Sequence, residues 1–181
     1  MENLQKEKWV IDPIHSEIEF KIRHLMITNV KGSFKEFDAS IYTTGNDFAT
    51  AEIDCWINTA SIDTGNVDRD THIKAADFFD VEKFPQISFT ADTYEKVDGD
   101  SSFEVWGELT IKGIAKKIKL AVEFGGVVKD PWGNEKAGFS INGKINRKDF
   151  GLNWNAALET GGFLISDDVN ISCEIQLKRS K

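Results

Sequence analysis

The chain has 181 residues, of which 40% are hydrophobic and 29% charged, and its formal net charge is −8 at pH 7. This length and composition are typical of one folded domain, residues 1–181, with a hydrophobic core of its own. The negative charge disfavours a nucleic-acid partner, because nucleic-acid binding depends on Lys and Arg that neutralise phosphates. An anionic membrane surface is disfavoured for the same reason.

The N-terminal residues 1–8 mix acidic and basic side chains, and no apolar stretch follows them. A secretory signal needs such a stretch, so we expect a cytoplasmic protein, with the periplasm as the alternative if a signal has been removed. No run of hydrophobic residues exceeds three, far below what a membrane-spanning helix needs. The sequence therefore predicts no integral membrane segment.

The strongest pattern along the chain is an alternation of apolar and polar residues with a period of two. It predicts half-buried β-strands, in chain order at about 16–24, 30–42, 51–58, 87–92, 103–111, 117–124, 139–145 and 169–177. Turn-forming residues separate them at 45–47, 98–100, 125–126 and 130–134. One stretch, 66–80, is typical of a helix, and 150–167 reads as a loop.

Eight two-faced strands with almost no helix indicate either a β-sandwich or a closed barrel. Many Phe residues fall on the inward face beside small residues, namely Ala51, Ala91, Gly107 and Gly143. Such a mixture either leaves a tunnel inside a barrel or is ordinary packing of large against small side chains.

The two cysteines, Cys55 and Cys173, fall on the apolar face of their predicted strands. We expect core thiols there, because free Cys behaves as a small buried hydrophobe. The spacing of His15, His24 and His72 matches no zinc motif, so we expect no metal.

Two polar residues, His24 and Arg147, continue the inward face at the ends of their strands. One interpretation is an internal ion pair of Arg147 with Asp149, Asp70 or Asp77 that closes one end of the barrel, since a buried charge needs a partner. The other is a polar anchor for the head group of a ligand, because a guanidinium offers a planar fork to phosphate or carbonyl oxygens.

Several motifs together resemble the YceI-like family of polyisoprenoid-binding, lipocalin-like proteins. They run from about residue 9 to residue 177: WVIDPIHS at 9–16, FKIRHL at 20–25, VKGSF at 30–34, DTHIKAADFFDV at 70–81, FPQISF at 84–89, GELTIKG at 107–113 and RKDFG at 147–151. This resemblance favours the barrel over the sandwich.

The resemblance implies an all-β fold: an eight-stranded antiparallel lipocalin-like barrel with an internal apolar tunnel and one short helical insertion. It implies a tunnel that holds polyprenyl chains, polyprenyl quinones or related long-chain amphiphiles. It implies no catalytic step, no cofactor other than such a bound lipid-like ligand, and often a homodimer. The ligand-binding residues it suggests are His24, Arg147, Phe20, Phe34, Phe78, Phe79, Phe84, Phe89, Leu109, Ile111, Leu120, Val122, Phe139 and Ile141.

The function expected from these observations is binding of a long-chain apolar molecule, as a carrier or sequestering protein and not as an enzyme. One alternative is an enzyme acting on such a lipid, with His15, His24 or His72 and a nearby Asp as acid or base. Another is a stress-related interaction module with Trp56 and Trp106 forming a dimer or partner surface. Many family members carry an export signal, and its absence from this sequence leaves the ligand open.

Overall fold

The fold is given by a computed structural model, which describes residues 5–25, 27–98, 101–155 and 165–180. Helix α1 (Val67–Lys74) lies between the sixth and seventh strand segments, and single 3-10 turns cover Pro13–His15, Thr59–Ser61 and Arg147–Phe150. The strand segments, in chain order, are β1 (Lys6–Ile11), β2 (Glu17–His24), β3 (Thr28–Phe34), β4 (Phe37–Thr44), β5 (Asp47–Asn58), β6 (Ile62–Asp63), β7 (Gln86–Asp98), β8 (Ser102–Ile111), β9 (Ile114–Lys129), β10 (Glu135–Asn146) and β11 (Ile165–Arg179).

These segments form the eight wall strands of a closed antiparallel barrel. The pairs β1 and β2, β3 and β4, and β5 and β6 each act as one bent wall strand, and β7 to β11 supply the other five. Each wall strand pairs with the next along the chain. The ring closes because β11 pairs with both β1 and β2. The predicted eight-stranded antiparallel barrel with one short helical insertion is confirmed.

Alternation along each strand sends apolar side chains inward and polar ones to the surface. In β8, for example, Phe103, Val105, Leu109 and Ile111 are buried, while Glu108 between them is exposed. The buried residues form two clusters, one towards each end of the barrel. One cluster lies near α1 and the turns around it, which we call the helix end. The other surrounds Trp9, which we call the closed end.

The helix is shorter than the predicted 66–80. It begins after Asn66, whose side chain accepts a hydrogen bond from the backbone N–H of Arg69. It ends at Lys74 because Ala75 is extended, with φ −73° and ψ 170°. The residues that follow form turns instead, and Asp80 takes a left-handed conformation with φ 50°.

The predicted turn at 125–126 is wrong, because these glycines lie inside the long strand β9. The pairing with β10 places Gly138 opposite Gly126 but Phe139 opposite Phe124, so Gly125 is one extra residue in the strand. This is a β-bulge, and the left-handed φ of Gly126, +109°, accommodates it.

Other boundaries also differ from the pattern. The predicted strand 30–42 is broken at residues 35 and 36 into β3 and β4, and β1 was not predicted. Most of the other strands extend beyond the alternating segments, and 165–167 of the predicted loop belong to β11. Residues 99–100 of one predicted turn and 156–164 of the predicted loop lie outside the described residues.

Candidate functional site

The barrel encloses a cavity of about 620 Å³ with an almost entirely apolar lining. A cavity of this size is within the range of sites that hold small molecules. The structure brings together around it every residue predicted to bind the ligand except Phe84; the lining includes His24, Arg147, Phe20, Phe34, Phe78, Phe79, Phe89, Leu109, Ile111, Leu120, Val122, Phe139 and Ile141.

Phe84 is the exception, and it does not line the cavity. It lies in the turns that lead to β7, so the alternation of a strand does not turn its side chain inward. Its ring instead lies beside the tight β8–β9 turn, where a Cβ built on Gly113 would be 3.3 Å from Phe84 Cε1.

Further lining residues fall into two groups. The first comprises inward positions that the strand alternation already placed on the apolar face, among them Ile18, Ile22, Ile53, Ile57 and Ile171. The second group surrounds the helix end, where no periodic signal exists: Thr64, Asp68, Arg69, Ile73, Leu152 and Trp154. Strand alternation does not identify the second group, because Asp68, Arg69 and Ile73 lie on α1 and the others lie in turns and loops.

Aromatic side chains fill the closed end of the barrel. The ring of Phe48 contacts the rings of Trp9, Phe124 and Phe139, with centroid distances of 5.1, 5.2 and 4.9 Å. Trp9 is fully buried, and its indole Nε1–H donates to Thr43 Oγ1 at 2.9 Å. This packing blocks the cavity at that end.

The helix end is where the cavity meets exposed and polar residues. Asp68 and Arg69 of α1 line it and are exposed, and His72 and Trp154 line it beside them. The ring of His72 packs edge-on against Trp154, with a centroid distance of 4.6 Å and an interplanar angle of 87°. We call the helix end the mouth of the cavity for this reason.

Arg147 is the polar centre of the mouth, and only 1% of its surface is exposed. Its Nε–H donates to the carbonyl of Ser166 at 2.8 Å, and Nη1 donates to the carbonyls of Leu152 and Trp154 at 2.5 and 2.8 Å. These bonds attach the 3-10 turn Arg147–Phe150 to residues 152–154 and to the start of β11.

The remaining nitrogen of Arg147, Nη2, is buried and has no hydrogen-bond partner among the described residues. The carboxylate of Asp167 is 3.8 Å away, beyond hydrogen-bond distance. Burial lowers the pKa of Arg147, and the Asp167 charge acts in the opposite direction. A buried donor without an acceptor at the wall of a cavity is suited to bind an oxygen atom of a ligand.

The acids predicted to pair with Arg147 lie elsewhere. Asp70 accepts hydrogen bonds from the backbone and hydroxyl of Thr64, at 2.9 and 2.6 Å, and Asp77 lies 3.1 Å from Nε2 of His72. No ion pair of Arg147 with Asp149 is found among the described residues; its acidic neighbour is Asp167. The prediction failed because β11 carries Asp167 to the mouth from a distant part of the chain.

The two cysteines are free and line the cavity, as predicted for core thiols. Burial raises the pKa of the Cys55 thiol to about 12, with a smaller contribution from Asp38. Burial also raises the pKa of Cys173 to about 12, and the charge of Cys55 contributes to this increase. Both side chains are therefore neutral thiols that add to the apolar surface.

His15 lies outside the cavity lining. Its Nδ1 is 2.9 Å from Asp12 Oδ2, and Lys136 Nζ is 3.0 Å from the same oxygen. Burial alone would raise the pKa of Asp12. The hydrogen bonds and charges of His15 and Lys136 together outweigh this effect and lower the pKa from 3.8 to about 2. These contacts connect the turn after β1 to β10. Among the described residues, no cluster of side chains suited to a metal ion occurs.

The two tryptophans of the interaction hypothesis lie on the outer face of the barrel. Trp56 is 37% exposed, and Lys119 Nζ lies 5.7 Å from the ring centroid of Trp106. A dimer surface there stays a prediction. In the part of the chain that the structure describes, no helix has the length and apolar character needed to cross a membrane.

Comparison with known proteins agrees with this architecture. The UPF0312 protein SAS2572 of Staphylococcus aureus is 40% identical over 174 residues, which cover 96% of this chain and 98% of that protein. The solved structure of the YCEI protein of Campylobacter jejuni is 38% identical, with a TM-score of 0.73 over 89% of this chain and 91% of that chain. A polyisoprenoid binding domain from Saccharophagus degradans, implicated in plant cell wall breakdown, shares the fold with a TM-score of 0.66 at 15% identity, over 95% of this chain and 98% of that chain. The YceI-like domain profile matches residues 9–177, and the chain therefore belongs to the YceI-like family.

Proposed function

We propose that this protein binds a long-chain apolar molecule, such as a polyisoprenoid, a polyprenyl quinone or another lipid amphiphile, inside its barrel. The observation that carries the proposal is the 620 Å³ cavity, whose lining is almost entirely apolar. The polyisoprenoid binding domain of Saccharophagus degradans has the same fold, which supports this ligand class. The role is that of a carrier or sequestering protein, and we place it in the cytoplasm.

The shape of the cavity favours an extended chain over a compact ligand. From Ile145 to Phe139, strand β10 lines it for roughly 20 Å along the strand, or about 15 Å along the axis of a tilted barrel. Each CH₂ group removed from water contributes ~0.8 kcal/mol, so a long chain binds tightly with few polar contacts. The aromatic cluster around Phe48 blocks the closed end, so the tail enters first and the head group stays at the mouth.

The head group in this proposal is an oxygen-containing group that accepts a hydrogen bond from Nη2 of Arg147. That atom is buried and lacks a hydrogen-bond partner among the described residues, so a ligand oxygen satisfies it. Hydroxyl, carbonyl and phosphate oxygens all meet this requirement. His24 and His72 also line the mouth and are neighbours of the head group.

The proposal assigns no catalytic step. His72 at the mouth is paired with Asp77, whose side chain is about half exposed, and its ring packs against Trp154. His15 lies outside the cavity lining, with its Nδ1 beside Asp12. Within the described residues, the side-chain partners of these two histidines are Asp12 and Asp77 and not a nucleophile, which favours binding over turnover.

A pair of neighbouring substitutions on β10 tests the proposal. Ile141 lines the cavity and Asn142 faces solvent, so Ile141→Trp fills the tunnel while Asn142→Trp leaves it open. Delipidated protein is incubated with a polyprenyl quinone, separated from free lipid, and the bound quinone is quantified by mass spectrometry. We expect near-stoichiometric uptake by the native protein and by Asn142→Trp, and little by Ile141→Trp. Failure of the native protein to take up quinone, or equal uptake by both variants, would contradict binding inside the barrel.

A further inference from the structure

One level of the tunnel wall combines large side chains with two glycines. The strand registers place Gly143 opposite Ile171, Ile171 opposite Phe20, and Phe20 opposite Gly32, across β10, β11, β2 and β3. Leu120 on β9 contacts the Gly143 side of this level. The side chains of Phe20, Leu120 and Ile171 all line the cavity. Two positions of this level, Gly32 and Gly143, therefore carry no side chain of their own, and the ends of Phe20 and Leu120 lie over them.

The ring of Phe20 occupies the space that a side chain at position 32 would need. A Cβ built on Gly32 would lie 2.3 Å from Phe20 Cζ and 2.8 and 2.9 Å from its two Cε atoms. Opposite residues on neighbouring strands have Cβ atoms about 4.5–5.5 Å apart. The ring can place its tip there only by lying along the wall, so it covers Gly32 and does not project into the tunnel.

The same arrangement recurs at position 143, where the built Cβ would lie 2.5 Å from Leu120 Cδ2. It recurs again at Gly107, where the built Cβ would lie 2.5 Å from Cζ of Phe89. At Gly107 the carbonyl oxygen of Thr90 would also be only 2.6 Å away, so the backbone itself needs glycine there. At positions 32 and 143, by contrast, the short contacts come from the ends of side chains that can move.

We infer that Gly32 and Gly143 set the width of the tunnel and make it selective for methyl-branched, isoprenoid chains over straight ones. A methyl group at either position displaces Phe20 or Leu120 from the wall towards the lumen, which narrows the tunnel at that level. A branched chain is wider at its methyl groups than between them, so narrowing the tunnel hinders its binding. A straight chain has the same small cross-section along its whole length, so the narrowing affects it less. This inference rests on the proposed binding function and specifies the ligand class that the site selects.

The expected change in ligand selectivity can be estimated from the effect of one methyl-sized change in an apolar pocket. Such a change alters discrimination between ligands by roughly 10-fold or more. We expect Gly32→Ala and Gly143→Ala each to lower the ratio of bound branched to bound straight chain by about tenfold. In Gly32→Ala, shortening the displaced ring with Phe20→Leu should restore the ratio.

The test is a direct competition. Delipidated protein is incubated with an equimolar mixture of geranylgeraniol and hexadecanol, which share the same main-chain length and differ in methyl branches and unsaturation. The bound alcohols are extracted and their ratio is measured by mass spectrometry. Gly138→Ala on β10 is the matched control, because a Cβ built there meets nothing within 4 Å. Gly143→Ala displaces only the end of a leucine, so it tests the inference even if Gly32→Ala does not fold.

The inference is supported if the ratio falls in the two variants, stays unchanged in Gly138→Ala and recovers in the Phe20→Leu double variant. It is overturned if folded Gly143→Ala keeps the native ratio, or if both alcohols are lost by the same factor. Failure of the proposed function gives a different result, since the native protein would then bind neither alcohol.

Discussion

Replacing Arg147 with methionine should destabilise the folded protein strongly, even though the new side chain is of similar length and apolar. The guanidinium donates three hydrogen bonds, to the carbonyls of Ser166, Leu152 and Trp154, and it is 99% buried. Methionine removes all three donors and leaves carbonyl groups without partners at the mouth. It also leaves the carboxylate of Asp167 without its nearby positive charge.

The expected loss can be estimated from these contacts. A hydrogen bond that involves a charged group contributes about 1.5–3 kcal/mol, so three together set an upper range near 5–9 kcal/mol. Water can reach part of the mouth and satisfy some carbonyls, and methionine keeps much of the packing. Breaking a buried charged interaction from one side typically costs about 3–5 kcal/mol, and we expect Arg147→Met to fall in this range.

Urea denaturation monitored by tryptophan fluorescence measures this loss, provided that the slope of the transition is unchanged. The matched control is Lys148→Met, since the neighbouring lysine is 45% exposed and its ion pair with Asp167 is a surface contact. Surface ion pairs contribute about 0–1 kcal/mol, so this variant should stay close to the native protein. A loss below about 1 kcal/mol for Arg147→Met, or equal losses in both variants, would refute a structural role for the three hydrogen bonds.

Two further predictions rest on the lowered pKa of Asp12 and the raised pKa values of Cys55 and Cys173. The pKa of Asp12 in the folded protein is about 2, below the ordinary 3.8, so its ionised form stabilises the fold above pH 4 and this contribution is lost as the pH falls towards 2. Asp12→Asn should therefore lower the free energy of unfolding by up to about 2 kcal/mol near neutral pH and by progressively less between pH 4 and pH 2. The control is Asp168→Asn, which removes an exposed ion pair with Lys144 and should cost about 0–1 kcal/mol. A loss in Asp12→Asn that does not change with pH would contradict the prediction. Because the pKa values of Cys55 and Cys173 are near 12, iodoacetamide at pH 8 should modify neither thiol in the folded protein and both after denaturation, as counted by intact mass; rapid labelling of the native protein would contradict their burial.

Strand alternation predicted most of the tunnel lining, because the apolar face of every strand in a closed barrel points into the same lumen. Once the family resemblance favours a closed barrel, every second residue of a strand such as β8 must face the lumen, and Leu109 and Ile111 do. Phe84 was misplaced because it precedes β7 and lies outside the alternation. The helix ended early because Ala75 is extended, a local choice that helix propensity does not contain.

The contacts at the mouth, and those of Gly32 and Gly143 in the tunnel wall, depend on which residues distant in sequence become neighbours in the fold. The pairing of Arg147 with carbonyls of Leu152 and Trp154 requires the path of a loop without periodicity. The contact of Phe20 with Gly32 requires the register between two strands, and a shift of one residue would reverse which side chains face inward. Sequence patterns give the facing of each strand but not this register, so these contacts emerge only from the fold.

The most direct test of the account is to purify the protein gently from the cells that make it, extract it with organic solvent and analyse the extract by mass spectrometry. The account predicts about one isoprenoid or other long-chain lipid per chain in the native protein, and much less in the tunnel-filling variant Ile141→Trp. An extract without lipid, together with delipidated protein that takes up no polyprenyl quinone, would contradict the claim that the barrel binds a long-chain apolar ligand.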